Sequence, residues 1–260
     1  MKPSAETALI TGASSGIGLE LARCFAGEGS NLVLVARNLE ALQQLAAELE
    51  SKHHIKVRSL RADLSLPETP ERIFEEVSRL GITVDVLVNN AGFGLQGEFL
   101  ELPLPRQLEM IQVNITALTH LTSLFLPAMA RRGFGGVLNV GSVAGFLPGP
   151  NLAVYYASKA FVLSFTEALA AETAGTGLKV SVLCPGPTES NFGVVARGGK
   201  SRQFERRKMS AKEVAQIGLR KFRTGQVVVV PGGSNRALAF LPRILPRRLA
   251  RWGVKKYNRL

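Results

Sequence analysis

Cysteine and histidine are scarce in this 260-residue chain. Cys24 and Cys184 lie far apart and in no Cys-x-x-Cys pair, which argues against a disulfide scaffold or a zinc site. Each reads as a small core filler. His53, His54 and His120 have no metal-ligand spacing, so no metal is expected, and His53-His54 reads as a solvated helix end. The opening residues, MKPSAETALITGASSG, lack the apolar core of a signal peptide. No uncharged apolar run reaches the length of a membrane span. The expected location is cytoplasmic, with peripheral membrane contact left open. Acid is missing from one end of the chain, Glu213 being the last acidic residue. Arg220, Lys221, Arg223, Arg236, Arg243, Arg247, Arg248, Arg251, Lys255, Lys256 and Arg259 follow it and carry nearly all of the +12 net charge.

What is present is an alternation. Short apolar, β-branched runs (Ala8–Thr11, Asn31–Ala36, Lys56–Leu60, Val84–Asn89, Gly136–Val140, Lys179–Cys184, Val227–Val230) alternate with helix-period segments. The helical segments are Gly16–Gly27, Leu39–Ser51, Glu68–Leu80, Leu104–Arg131, Val154–Thr173 and Ala211–Arg223. Strands separated by helices predict an α/β fold: a doubly wound, seven-stranded parallel sheet with helices on both faces. The length suits one large domain, read here as residues 1–232 with a basic tail at 233–260. The glycine-rich, basic stretch 187–210 has weak periodicity and reads as a substrate loop.

The first strand runs into Thr11-Gly-Ala-Ser-Ser-Gly-Ile-Gly18 and then into a helix. A glycine turn at that junction aims backbone N–H groups at a phosphate. Gly12 allows the tight turn, Gly16 the approach of the pyrophosphate, and Gly18 close packing of the helix. Ser14, Ser15 and Ile17 complete this loop. An acid at the end of the second strand would bind the ribose hydroxyls of NAD. The chain has Ala36-Arg37 there instead, and Arg37 suits a 2′-phosphate. NADP(H) is therefore expected over NAD(H).

The octet Val154-Tyr-Tyr-Ala-Ser-Lys-Ala-Phe161 places Tyr155 four residues before Lys159 and Tyr156 three before it. On a helix either phenol shares the face of the lysine, and spacing alone does not choose.

The ordered set TGASSGIG at 11–18, Asp63-Leu64, Asn89-Asn-Ala-Gly92, Asn114, Ser142, Tyr155-x-x-x-Lys159 and Pro185-Gly186 closely resembles the short-chain dehydrogenase/reductase family. The resemblance runs from about Thr7 to Gly232. It implies a Rossmann-type fold, a nicotinamide cofactor and a small-molecule carbonyl or alcohol substrate, with a homodimer or homotetramer as assembly. It makes Tyr155 the catalytic phenol, with Lys159 lowering its pKa and binding the nicotinamide ribose. Ser142 would hold the substrate oxygen, and Asn114 a water leading to Lys159. Asp63 with Leu64, Asn90, Ala91 and Gly92, and Pro185, Gly186 and Thr188 would line the cofactor. Tyr156, Phe146, Leu147 and Phe192 would wall the substrate, read as an apolar or lipid-like carbonyl compound. Two other readings are a non-catalytic NADP(H) sensor and a membrane- or RNA-associated protein acting through its tail.

In that tail a helix after Pro246 would set Leu249, Trp252, Gly253, Tyr257 and Leu260 on one face, with cations on the other. Such a helix lies in a membrane interface or packs on the domain or a partner, with residues 236–260 as the candidate membrane surface. No recognition motif accompanies the charge for nucleic acid.

Overall fold

The computed structural model describes residues 5–189, 208–243 and 245–258. The expected Phe192 contact therefore lies outside the described residues, as does most of the substrate loop. In chain order the elements are β1 Thr7–Thr11, α1 Gly16–Gly27, β2 Asn31–Ala36, α2 Leu39–His53, β3 Val57–Arg61, α3 Thr69–Arg79 and β4 Val86–Asn89. There follow α4 Leu104–Ile111, α5 Leu118–Arg132, β5 Gly136–Val140, α6 Ala153–Glu172 and β6 Lys179–Leu183. The chain then forms β7 Thr188–Glu189, β8 Met209–Ser210, α7 Ala211–Arg223, β9 Val228–Val229, α8 Gly233–Phe240 and α9 Arg247–Tyr257.

Seven of these strands form one parallel sheet in the order β3-β2-β1-β4-β5-β6-β9. Successive strand side chains point to opposite faces, and the two core layers show it. Ala8 and Ile10 of β1, with Leu32 and Leu34 of β2, face Leu21, Phe25, Leu219 and Phe222 of α1 and α7. Leu9, Val33 and Val35 face Ile73, Val77, Leu121 and Phe125 of α3 and α5. Both faces are covered, which is why these strands read as unbroken apolar runs. A buried polar bridge ties the middle of the sheet to its helices. Asn89 Nδ2 donates to Asn139 Oδ1 (2.9 Å) and Thr122 Oγ1 (3.0 Å), and Asn139 Nδ2 donates to Thr166 Oγ1 (2.9 Å). The chain order reverses between β1 and β4, so a crevice opens at the carboxyl ends of these two strands.

The fold differs from expectation in two places. The long helix expected at Leu104–Arg131 is α4 and α5 joined by a π turn over Gln112–Ala117. An 18-residue window within Leu104–Arg132 reaches a mean hydropathy of 1.3, so by length and composition this stretch could cross a bilayer, which the expectation that no uncharged apolar run is long enough did not anticipate. Its apolar residues Met110, Leu121, Phe125 and Met129 are instead buried in the domain. The second difference is in the tail: the helix expected after Pro246 forms as α9 and packs on the domain, one of the placements left open for it, but α8 precedes it and α9 reaches the candidate site.

Candidate active site

The glycine loop sits at the crevice. Gly12 and Gly16 have φ of +66° and +57°, a left-handed region open to glycine at little cost. A Cβ on Gly18 would lie 2.4 Å from Gly12 O and 2.3 Å from Asn90 Nδ2. Gly18 therefore lets the helix start close against its own loop. Asn90 braces that loop, donating from Nδ2 to Thr11 O (2.9 Å) and Gly12 O (3.1 Å). The amides of Asn90 and Ala91 both donate to Thr11 Oγ1 at 3.0 Å. Asn90 thus spends its side-chain N–H groups on the loop. Ser15 caps α1 with no side-chain hydrogen bond, and the first turn carries no acid. Its free N–H groups and positive dipole end suit an anion. Ser15 is exposed, Ser14 and Ile17 half-buried. The loop fits a dinucleotide pyrophosphate.

Beside it lies a cleft of about 720 Å³ whose lining includes Arg37, Arg61, Asp63, Leu66 and Arg72. Arg61 pairs in register with Ala36, next to the exposed Arg37. Burial opposes ionisation of Asp63, but hydrogen bonds from the Ser65 amide and hydroxyl, with the charge of Arg37, outweigh it and hold its pKa below the usual value. The Leu64 side chain is 7% exposed and packs in the core with Leu9 and Val33. The expected Leu64 contact is left to its backbone.

Asn114, Ser142, Tyr155 and Lys159 come together at the other end of the crevice. The π turn carries Asn114, whose Nδ2 donates to Phe93 O and Ser158 Oγ, both at 3.0 Å, while Oδ1 accepts from Phe93 N at 3.1 Å. A Cβ on Gly92 would lie 2.9 Å from Asn114 Oδ1 and 3.4 Å from Lys159 Nζ, so these three positions share one small space. Ser142 ends the loop after β5, and its Oγ accepts from Ala144 N at 3.1 Å. Tyr155 and Ser142 share a hydrogen bond. Lys159 Nζ donates to Val140 O at 2.8 Å and stands 6.0 Å from the Tyr155 ring centroid.

The electrostatics correct one expectation. Burial pushes the Tyr155 phenol up to about 12, although the Ser142 hydrogen bond opposes the shift. Burial also pushes the Lys159 ammonium down to about 8. Burial, rather than the charge of Lys159, sets the direction of the Tyr155 shift here. One of the three N–H donors of Lys159 goes to Val140 O, and desolvation is the largest influence on both groups. Because the folded pKa of Lys159 is depressed, burying its charge costs stability below pH 8, and that cost disappears as pH rises toward 10.5. Chemical melts of the protein and Lys159→Met across that window should show the stability gap moving toward wild type, by up to roughly 3 kcal/mol. A gap that does not change with pH would place the ammonium in water.

On the nicotinamide side, a Cβ on Gly186 would meet Asn235 Oδ1 at 2.2 Å, so α8 packs tightly over Pro185-Gly186. Thr188 Oγ1 donates to Gly186 O at 2.9 Å and opens the short β7–β8 ladder. Cys184 is fully buried beneath this loop and Cys24 is half-buried.

The substrate side holds what the sequence reading missed. Tyr155 and Tyr156 meet edge-on, 6.2 Å apart at 77°, in a cluster with Met110, Val254, Phe93, Leu95, Leu147 and Leu152. Leu147 is where it was expected. Phe146, one residue earlier in the 3₁₀ turn Val143–Phe146, packs instead with Leu118, Val162 and Val182 and does not join Tyr155. Asn258, 2% exposed, fastens the tail to this wall. Its Nδ2 donates to Pro150 O (3.0 Å) and Tyr156 Oη (3.3 Å), and its carbonyl accepts from Asn151 Nδ2 (3.2 Å) and Gln96 Nε2 (3.3 Å). No periodicity marks a lone asparagine at a helix end. Among the described residues no His/Cys/Asp/Glu group could hold a metal.

Comparison with known proteins matches this architecture. The family model described as short chain dehydrogenase covers residues 6–198. Sulfoacetaldehyde reductase 2 of Chromohalobacter salexigens is 38% identical over 74% of this chain and 76% of its own. The very-long-chain 3-oxoacyl-CoA reductase of Rattus norvegicus is 32% identical over 92% of this chain and 76% of its own. A short-chain dehydrogenase from Sphingobium yanoikuyae in complex with NADPH superposes with a TM-score of 0.82, at 32% identity, over 93% of this chain and 96% of that one. The chain belongs to the short-chain dehydrogenase family. It is an oxidoreductase of carbonyl and alcohol groups that uses a nicotinamide cofactor.

Proposed function

We propose that this protein is an NADPH-dependent reductase of an apolar ketone, with Tyr155 as its acid. The observation that carries the reading is the meeting of Tyr155, Ser142, Lys159 and Asn114 near the carboxyl ends of the central strands. Bound there, the reduced nicotinamide supplies the hydride for the carbonyl carbon. The chain supplies everything else. Ser142 Oγ and Tyr155 Oη share a hydrogen bond, so a carbonyl oxygen set between them accepts from both. As charge builds on that oxygen, Tyr155 gives it a proton. A phenol held near 12 keeps its proton at neutral pH, which suits an acid in the reductive direction. Lys159 and Asn114 then stand where a proton can be returned through water. The apolar wall of Met110, Phe93, Leu95, Leu147, Leu152 and Val254 excludes water and suits an apolar substituent.

NADPH is favoured by Arg37, with Arg61 across the same cleft and no acid at the end of β2. Arg37→Ala should lower the ratio of kcat/KM for NADPH over NADH about 10- to 100-fold, the worth of a charge-assisted hydrogen bond of roughly 1.5–3 kcal/mol. An unchanged ratio would remove Arg37 from the 2′-phosphate. The substrate half is tested on a carbonyl panel with NADPH. Bulky apolar ketones should be turned over in preference to small anionic aldehydes, and the reverse order would overturn it while leaving the reductase intact.

A further inference from the structure

Helix α9 turns its small residues inward. Leu249, Trp252 and Tyr257, expected on the apolar face, are 55%, 65% and 56% exposed, while Ala250 and Val254 are each 8% exposed. These two lie four apart on one face, and their size lets the helix approach the Tyr155–Tyr156 cluster while Asn258 pins its end. At 100° per residue Trp252 then stands nearly opposite the Ala250–Val254 edge. Arg248, Leu249, Lys255 and Lys256 flank it, all exposed, with Lys256 Nζ 5.6 Å from the Trp252 ring. The preceding segment leaves Leu238, Phe240 and Leu241 exposed at 39%, 57% and 43%. No acidic residue after Glu213 offsets the cations.

We propose that the outer face of α9 docks on an anionic lipid surface. An interface of headgroups and acyl chains takes a tryptophan, a leucine and their flanking cations together. The alternatives use only part of the face. Nucleic acid would engage the cations and leave Leu249 in water. A second copy meeting this face symmetrically would set Arg248, Lys255 and Lys256 against their own counterparts. A docked α9 would lie between the lipid and the Tyr155–Tyr156 cluster, and the docking itself does not depend on the reductase reading.

Trp252 is the single tryptophan of the chain, so intrinsic fluorescence reports this helix alone. Phosphatidylcholine–phosphatidylglycerol vesicles should shift its emission to the blue and co-sediment the protein at low salt. Raised salt should reverse both, and phosphatidylcholine vesicles should do neither. The Arg248→Glu/Lys255→Glu double variant should bind the mixed vesicles at least about 25-fold more weakly, fivefold for each cation at roughly 1 kcal/mol. Its turnover of a water-soluble ketone should match wild type. No shift with the mixed vesicles, equal binding to phosphatidylcholine alone, or a double variant that binds like wild type would each overturn the proposal. A dimer dissolved by the same double variant, without vesicle binding, would give the face to a second copy. RNA binding without vesicle binding would give it to nucleic acid.

Discussion

Tyr155→Phe should lower kcat by roughly 10²- to 10⁴-fold, the usual worth of a positioned general acid, and leave the Kd for NADPH within a few-fold. The change removes one oxygen. The ring still fills its place beside Met110, Leu147 and Val254, so the wall and the thermal midpoint should barely move. What is lost is the phenolic proton that Tyr155 holds beside the Ser142 hydroxyl. Tyr156→Phe is the matched control. Its hydroxyl is committed to Asn258, 3.3–3.4 Å away, and its ring lies so close to Gly149 that a Cβ there would meet it at 2.1 Å. Removing that hydroxyl should loosen the end of α9 and shift KM for bulky ketones, with kcat changed only a few-fold. Steady-state and single-turnover kinetics on both variants separate the two roles. Equal losses would show that the hydroxyls act as one structural unit. Full activity in Tyr155→Phe would end the assignment of Tyr155 as the acid.

The sheet and its cover were legible because burial on both faces leaves a signature in composition. VDVLV and KVSVL are aliphatic at seven of their ten positions, and the strands they predict form within two residues of the expected ends. The phosphate loop was legible because backbone geometry restricts its residues to glycine. Other features leave no such mark. A π turn at Gln112–Ala117 adds one residue to a turn while the apolar spacing on either side continues, so the 3.6-residue period reads straight through it. Phe146 and Leu147 differ by a single step in a 3₁₀ turn, and that step decides which cluster each joins. The inward face of α9 is set by how near a helix can come to two edge-on tyrosines, which favours Ala250 and Val254 over the larger Leu249 and Trp252. Summing hydrophobicity around the helix picks the opposite face. The charge states of Tyr155 and Lys159 depend on desolvation, which residue spacing does not carry. Spacing brought the two residues together, and burial decided what they do to each other.

Gly18→Ala should weaken NADPH binding by about 100-fold or more, although it adds one methyl group far from the reacting carbon. The new Cβ would stand 2.4 Å from Gly12 O and 2.3 Å from Asn90 Nδ2, and a backbone carbonyl cannot step aside as a flexible side-chain tip can. Either α1 moves away from the sheet or the loop between Gly12 and Gly16 opens. Overpacking of this kind costs roughly 1–3 kcal/mol. Opening the loop also breaks the Asn90 hydrogen bonds to Thr11 O and Gly12 O and turns the uncapped N–H groups of α1 off the pyrophosphate, at roughly 1.5–3 kcal/mol for each charge-assisted bond. The thermal midpoint should fall by several degrees, on the order of 2–4 °C per kcal/mol at this chain length. Gly27→Ala at the other end of the same helix isolates the cause. Nothing lies within 4 Å of its Cβ position and its φ is not positive, so the methyl should be neutral or stabilise by up to about 1 kcal/mol, with cofactor affinity unchanged. Titration calorimetry with NADPH and thermal melts on both variants decide the matter. If the two alanines behave alike, helix propensity governs α1 and the close approach at Gly18 is not what shapes the cofactor loop.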